Sequence, residues 1–215
     1  MVACPVCDHS RTTIAVTRVS LPVMQNVVYP TRAAAMAAPC ARFELSVCHQ
    51  CGFAFNSAFD PSLAVYDESY DNDVPSEIFR KYYAELCSFV IDQLTLEDGL
   101  VIDVGCGKGT FLEVLCKMAP AIRGLGIDPS CQEVERANFK LIRSTFAAEH
   151  FVAQPRLVLL RHVLEHIPSP MGFLRALREV VPARARLFVE VPELSWITSH
   201  RAFWDFCYEH CNYFT

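Results

Sequence analysis

A chain of 215 residues with 52% hydrophobic and 20% charged content can bury one ordinary α/β core plus a small appended module, and is too apolar to stay disordered. Lys and Arg number 19 against 24 for Asp and Glu, a net charge of −5, which is the wrong sign for gripping a phosphate backbone; a small-molecule partner is expected instead of a nucleic acid. No run reaches the roughly 18 apolar residues of a membrane span, Cys4 and Cys7 interrupt the place where a signal peptide needs an apolar stretch, and 11 cysteines is an odd count, so reduced thiols in a cytoplasmic protein without a membrane partner are expected.

Residues 1–60 lack a helical period, are punctuated by Pro22, Pro30 and Pro39, and carry Cys4-Pro-Val-Cys7 and Cys48-His-Gln-Cys51. Two such pairs place four thiolates at the corners of a tetrahedron around Zn²⁺, and a four-thiolate sphere leaves no open position for water, so a structural zinc-binding module is expected. The 40 residues between the pairs exceed usual finger spacing, which describes a ribbon with a long insert, with Cys40 or His49 as substitute ligands. Unligated or redox-active thiols are the competing reading. A nucleic-acid finger does not fit, because this segment holds four Arg, no Lys and three acids.

Residues 61–75, PSLAVYDESYDNDVP, are acidic, Tyr-rich and bounded by prolines, the composition of a linker. A helix is predicted after Ser76, whose hydroxyl can cap free amides, through Phe79, Tyr83, Leu86, Val90 and Leu94. Short apolar runs then alternate with helical stretches: LVIDV, then 109–118; GLGID, then 130–137; FKLI, then 146–152; RLVLL, then 171–181; and RLFVEV. This order predicts a doubly wound, Rossmann-like α/β domain over 76–215 with a parallel sheet and right-handed crossovers. Five strands are counted before Thr215.

The run Val101-Ile-Asp103-Val-Gly105-Cys-Gly107-Lys-Gly109-Thr110 reads as buried strand, glycine turn and helix start, the nucleotide-binding corner of such a fold. Its G-x-G-x-G spacing departs from the G-x-G-x-x-G of nicotinamide binders, and Lys108 followed by Gly109 departs from a phosphate-binding P-loop. Asp103 at the strand end would repel a pyrophosphate and attract a cation. S-adenosylmethionine carries an ammonium and a sulfonium and no phosphate, so the acid suits it. Asp128 ends the next strand, 128 − 103 = 25 residues on, near the spacing at which an acid reaches ribose hydroxyls; a cap near Ser130 is the alternative role.

VIDVGCGKGTFL followed by GLGIDPS resembles motif I and the following acid of the class I S-adenosylmethionine-dependent methyltransferases, and the resemblance covers 76–215. LLRHVLEHIPSP and EVPE are similar to segments of the C-methyltransferases acting on nucleotide-linked deoxysugars, which also carry an N-terminal zinc site resembling CPVC and CHQCGFAFN. The resemblance implies S-adenosylmethionine held by Asp103, Gly105, Gly107, Gly109, Asp128 and His162, with zinc on Cys4, Cys7, Cys48 and Cys51. It also implies two further strands that would lie beyond Thr215, so a truncated domain with an uncovered sheet edge is expected. No acid follows Phe139 to Ile142 to meet an adenine.

His162-Val-Leu-Glu165-His166 also matches the H-x-x-E-H of some zinc peptidases, a reading disfavoured by the strand it follows. In the methyltransferase reading these residues line the cofactor pocket. Phe206-Cys-Tyr208-Glu209-His210 resembles the family's catalytic segment, which implies His210 as general base beside Glu209, removing a proton next to a ketone to give an enolate. The family's tyrosine falls where this chain has Cys207, with Tyr208 displaced by one. A surface Glu209–His210 pair in a C-terminal tail is the alternative. Two other functions compete with methyl transfer to a nucleotide sugar or similar acceptor: a non-catalytic zinc-ribbon interaction protein with a degenerate cofactor domain, and a nicotinamide oxidoreductase.

Overall fold

The computed structural model describes residues 2–25, 27–73, 76–151 and 153–215. Met1 and Asn26 of the expected module, Val74 and Pro75 of the expected linker, and Val152 of the expected stretch 146–152 lie outside the described residues. In chain order the elements are β1 (Thr12–Pro22), α1 (Arg32–Met36), β2 (Cys40–Cys48), β3 (Ala54–Asn56), α2 (Glu77–Gln93), β4 (Gly99–Val104), α3 (Thr110–Met118), β5 (Ile122–Ile127), β6 (Val134–Glu135), β7 (Phe139–Ile142), β8 (Leu157–Arg161), α4 (Pro170–Val180), β9 (Arg186–Glu190), α5 (Leu194–Ser199) and β10 (Asn212–Tyr213). Short 3₁₀ turns occupy Ala148–Phe151, Leu164–His166 and Phe203–Asp205. None of the described helices is long and apolar enough to cross a membrane.

The chain divides into two compact units, one of Tyr66–Arg161 and Ala176–Glu190, the other of Met1–Val65, His162–Arg175 and Val191–Thr215. The first holds a six-stranded sheet of order β6-β7-β5-β4-β8-β9. All neighbours are parallel except β6, which runs antiparallel to β7. Strand order reverses at β4, which pairs with β5 on one side and β8 on the other; open α/β sheets bind ligands at the carboxyl ends of strands at such a reversal. β8 is buried along its whole length, as an inner parallel strand covered on both faces should be. β9 is the last strand of this sheet among the described residues, and its Leu187 and Val189 are exposed.

Ser76 caps α2 through its Oγ, which accepts from the Phe79 N–H at 3.1 Å, and the helix buries Tyr83, Cys87 and Val90. These pack in one core with Phe111, Leu112, Leu115 and Cys116 of α3 and with Val101, Ile122, Leu157 and Leu159 of the sheet. Each fully buried Leu or Ile there contributes about 1.5–3 kcal/mol relative to exposure. Two predicted helices are corrected. Residues 130–137 form no helix: Val134 and Glu135 pair antiparallel with Leu141 and Lys140, which commits their backbone groups to a strand ladder in place of a helical one. Among the described residues of 146–152, the 3₁₀ turn Ala148–Phe151 forms in place of a helix.

The second unit is built on an antiparallel sheet of order β1-β2-β3-β10. β1, rich in the β-branched residues that suit a pleated surface, pairs with β2 with irregularities between Ile14 and Val16 and between Arg18 and Leu21. Phe43, Leu45, Ala54, Ile197, Ala202 and Tyr213 form its core. β10 lies against β3, with Asn212 opposite Phe55 and Tyr213 opposite Ala54, and the Phe43 and Tyr213 rings meet edge to face at 6.1 Å. The contact division is thus discontinuous in sequence, whereas the sequence boundary at 61–75 separates two continuous stretches.

Candidate functional site

In the parallel-sheet unit the turn after β4 is built from Gly105, Gly107 and Gly109, all at positive φ (76°, 55° and 84°). A Cβ on Gly109 would stand 2.5 Å from Leu141 Cδ1, whereas one on Gly107 would meet nothing within 4 Å. Gly107 therefore presents bare backbone to open space, the arrangement that lets a ligand approach a main chain closely. The Gly105 N–H donates to the Ile127 carbonyl at 2.8 Å and the Gly107 N–H to Asp128 Oδ2 at 2.9 Å. Asp128 Oδ1 accepts from both the amide and the hydroxyl of Ser130 at 2.7 Å. The cap at Ser130 is thus present, and Asp128 also braces the glycine turn.

Asp103 is 1% exposed, and its Oδ1 has no hydrogen-bond partner. Burial raises its pKa to about 7, opposed by the Arg161 guanidinium and reinforced by Asp128. A buried carboxylate oxygen without a partner is costly, and a cation at the strand end would relieve it. The orphaned acid, the open face of Gly107 and Asp128 fit a positively charged adenosyl compound.

Several contributors to this corner were not evident in the sequence. Thr110, the first residue of α3, hydrogen-bonds Asp73; Lys108 Nζ donates to the carbonyls of Glu68 (3.0 Å) and Ser130 (2.8 Å); Arg143 pairs with Glu68. The acidic stretch read as a connector is therefore fastened across the glycine turn. Arg161, 8% exposed, pairs with Glu190 at 2.7 Å and lies 3.9 Å over the Phe111 ring. Its position at the end of an apolar run was the available signal, because a buried Arg is rarely without a partner.

In the antiparallel unit the Sγ atoms of Cys4, Cys7, Cys48 and Cys51 lie within 4.8 Å of one another, with Cys4–Cys51 and Cys7–Cys48 each at 3.6 Å. Zn–S bonds of about 2.3 Å put tetrahedral sulfurs roughly 3.8 Å apart. The two knuckles match in backbone: Asp8 and Gly52, each following the second cysteine of its pair, have φ of 59° and 74°, and their N–H groups donate to the carbonyls of Cys4 and Cys48 at 3.0 Å. All eleven cysteines are unbridged. The substitute ligands are corrected: Cys40 Sγ donates to the Ala38 carbonyl, His49 Nε2 meets Thr13 Oγ1 at 2.7 Å, and neither belongs to the cluster.

The same unit gathers His162, Glu165, His166, Glu209 and His210. Glu165 and Glu209 are each 1% exposed, so the surface-tail alternative for Glu209 and His210 is corrected. The Glu209 Oε1 accepts from the Gln25 N–H at 2.8 Å. His166 Nδ1 lies 3.2 Å from the Glu209 carbonyl oxygen and 4.0 Å from its Oε2, and the His166 and His210 rings meet edge to face at 4.8 Å. Burial, His166 and His162 hold the His210 pKa well below the usual imidazole value; His166 is lowered by burial and by His162, against Glu165 and the Glu209 carbonyl. His162, at φ 55°, has Nδ1 3.3 Å from Glu165 Oε1. The Tyr208 hydroxyl is engaged, accepting from the Asp60 N–H at 2.8 Å, and burial pushes the Cys207 thiol up to about 12. The structure thus brings Asp103, the three glycines and Asp128 together in one unit, and His162, Glu209, His210 and the four cysteines belong to the other.

A parallel sheet with a strand-order reversal, a glycine turn and a buried acid at the strand end defines a Rossmann-like ligand-binding α/β protein. The family model described as "Methyltransferase domain" matches residues 78–215, and the chain belongs to that family. Curated relatives include the ubiquinone biosynthesis O-methyltransferases of Xanthomonas oryzae pv. oryzae strain PXO99A, 22% identical over 142 residues, and of Xanthomonas euvesicatoria pv. vesicatoria strain 85-10, 24% identical over 142 residues. Each match covers 62% of this chain and 59% of the relative, so the chain spans about three fifths of those proteins' length. Among solved structures, the S-adenosylhomocysteine-bound form of CalO1, a methyltransferase in calicheamicin biosynthesis, is similar with a TM-score of 0.45 and 18% identity, covering 64% of this chain and 45% of that one.

Proposed function

We propose that the chain transfers a methyl group from S-adenosylmethionine to a small-molecule acceptor. The observation that carries this reading is Asp103, buried at the end of β4 with Oδ1 unpartnered beside a glycine turn that leaves Gly107 bare. When bound, the cofactor supplies an electrophilic methyl on a sulfonium. Asp103 would compensate its positive charge, Gly105, Gly107 and Gly109 would admit it against the backbone, and Asp128 would meet the ribose hydroxyls while bracing the turn. His162 is included among the cofactor residues on the strength of the resemblance.

The finer reading is carbon methylation of a nucleotide-linked keto-deoxysugar. It is supported by the likeness of LLRHVLEHIPSP, EVPE and CYEHCNYF to that family and by the burial of the Glu209–His210 pair. His210 takes the proton from the carbon beside the ketone, leaving an enolate as nucleophile, and Glu209 holds its place through the Gln25 N–H. Zn²⁺ on Cys4, Cys7, Cys48 and Cys51 is structural in this reading, supported by the matched knuckles and a donor set that closes the coordination sphere. Calorimetric titration with S-adenosylmethionine tests the first claim, and no heat at millimolar cofactor removes it. Mass spectrometry of candidate keto-sugars after incubation tests the second: gain of a methyl on oxygen in place of carbon refutes it.

A further inference from the structure

Near the proposed base, one carboxylate oxygen of Glu165 and one ring nitrogen each of His166 and His210 lie within 4.8 Å of one another. Glu165 Oε2 and His210 Nδ1 are buried and have no hydrogen-bond partner. A hydrogen-bonding framework would shed such orphans, because each costs free energy; two of the three clustered residues carrying one each point to a ligand that accepts lone pairs. We propose that Glu165, His166 and His210 form a second metal site, for one divalent ion of the zinc kind, separate from the cysteine cluster.

The surroundings of the three donors are those of metal ligands. Glu165 Oε1 is met by His162 Nδ1 at 3.3 Å, and His166 Nδ1 lies 3.2 Å from the Glu209 carbonyl oxygen, the outer contact by which a ligating histidine is oriented. The two backbone segments that carry the donors are pinned together without any ion. The Cys211 N–H donates to the Glu165 carbonyl at 2.7 Å, and Asn212 Nδ2 donates to the carbonyls of Leu164 (3.0 Å) and Ile167 (2.6 Å). Tetrahedral bonds of about 2.0–2.1 Å set donors roughly 3.4 Å apart, so loading asks the side chains to close by about 1.4 Å at most. Two imidazoles and one carboxylate select zinc-like ions over Mg²⁺ or Ca²⁺, which take oxygen.

A nitrogen that holds the ion has no lone pair for a proton. Resting on the base role assigned above to His210, the consequence is that the loaded ion stops methyl transfer, and the cluster is an inhibitory site. The binding claim itself does not depend on that role.

Titration of the metal-free full chain with Co²⁺, followed by its absorption spectrum, separates the two sites, because thiolate ligation gives intense near-ultraviolet charge-transfer bands and a nitrogen–oxygen site gives only weak visible ones. Wild type is expected to take a second equivalent that adds no charge-transfer absorption. Glu165→Gln and His210→Asn should each lose that equivalent while keeping the thiolate bands and the circular-dichroism spectrum of wild type. The same equivalent of Zn²⁺ should lower methyl transfer about 10²-fold, the contribution of a positioned base, with recovery on chelation. A wild-type chain whose only metal is thiolate-bound, or variants that still take the second equivalent, overturns the site. A second equivalent seen with no cofactor binding would uphold the site and refute the methyltransferase reading instead.

Discussion

Asp128 holds Gly107: the carboxylate at the end of β5 accepts the amide of the middle glycine after β4 at 2.9 Å, across a parallel strand pair. Replacing Asp128 with Ala removes that bond and the two from Ser130. The expected loss is about 1.5–3 kcal/mol of stability in urea unfolding, together with weaker S-adenosylmethionine binding. Asp128→Asn keeps one carbonyl acceptor and should lose less. Unchanged cofactor affinity in the alanine variant would contradict the role.

Asp103 gives a pH dependence of known sign. Its folded pKa, raised to about 7 by burial against Arg161's opposing charge, exceeds the unfolded value of about 3.9. The folded chain therefore holds this proton more tightly, and the resulting stability is fully present below the unfolded pKa and is lost as pH rises through 7. A cationic ligand requires the carboxylate, so affinity for S-adenosylmethionine should fall about tenfold per unit as pH drops below 7. Calorimetry across pH 5 to 9 checks it; Asp103→Asn should abolish the slope and, at pH 8, be more stable than wild type by roughly 1–3 kcal/mol.

Two glycines of the turn should fail differently. Gly109→Ala combines a left-handed backbone with a methyl 2.5 Å from Leu141 Cδ1, and is expected to cost about 1–2 kcal/mol for the conformation plus 1–3 kcal/mol for overpacking. Gly107→Ala meets open space and should cost only the conformational part, yet weaken cofactor binding more than its stability loss explains. Thermal melts with and without S-adenosylmethionine distinguish them.

For the cysteine cluster, chelation should remove the zinc held there and expose the four thiols of Cys4, Cys7, Cys48 and Cys51 to titration. Cys48→Ser should lower the metal affinity and melt the β1-β2-β3 sheet at lower temperature, because metal binding free energy is folding free energy in small sites. Full retention of zinc by Cys48→Ser would remove Cys48 from the ligand set.

Strong periodic signals were legible and sparse ones were not. Gly105, Gly107, Gly109 and the inner strands β4 and β8 announce themselves, because an inner parallel strand is a near-continuous apolar run and a turn at positive φ demands glycine. The Ser76 cap was readable from one hydroxyl ahead of an apolar period. β10 was not: two residues carry no period, and their place beside β3 is supported by Tyr213 packing on Phe43 and Ala54, far from it in sequence. The hydrogen bond of Thr110 to Asp73 and the ion pair of Arg143 with Glu68 were equally hidden, since long-range side-chain contacts leave no local pattern. The absent helix at 130–137 shows a composition permissive for helix overruled by the pairing of Val134 and Glu135 with β7.

The return of Asn212 and Tyr213 to β3 has a kinetic consequence. During synthesis, the first sixty-odd residues emerge long before the strand that pairs with β3, and the intervening parallel sheet can form while that edge waits unpaired. Distant pairing is slow and leaves edges exposed. The β3 edge of the cysteine-bearing half should thus be paired only after the parallel-sheet strands have emerged, and early zinc capture at Cys4, Cys7, Cys48 and Cys51 would give it a local nucleus during the wait.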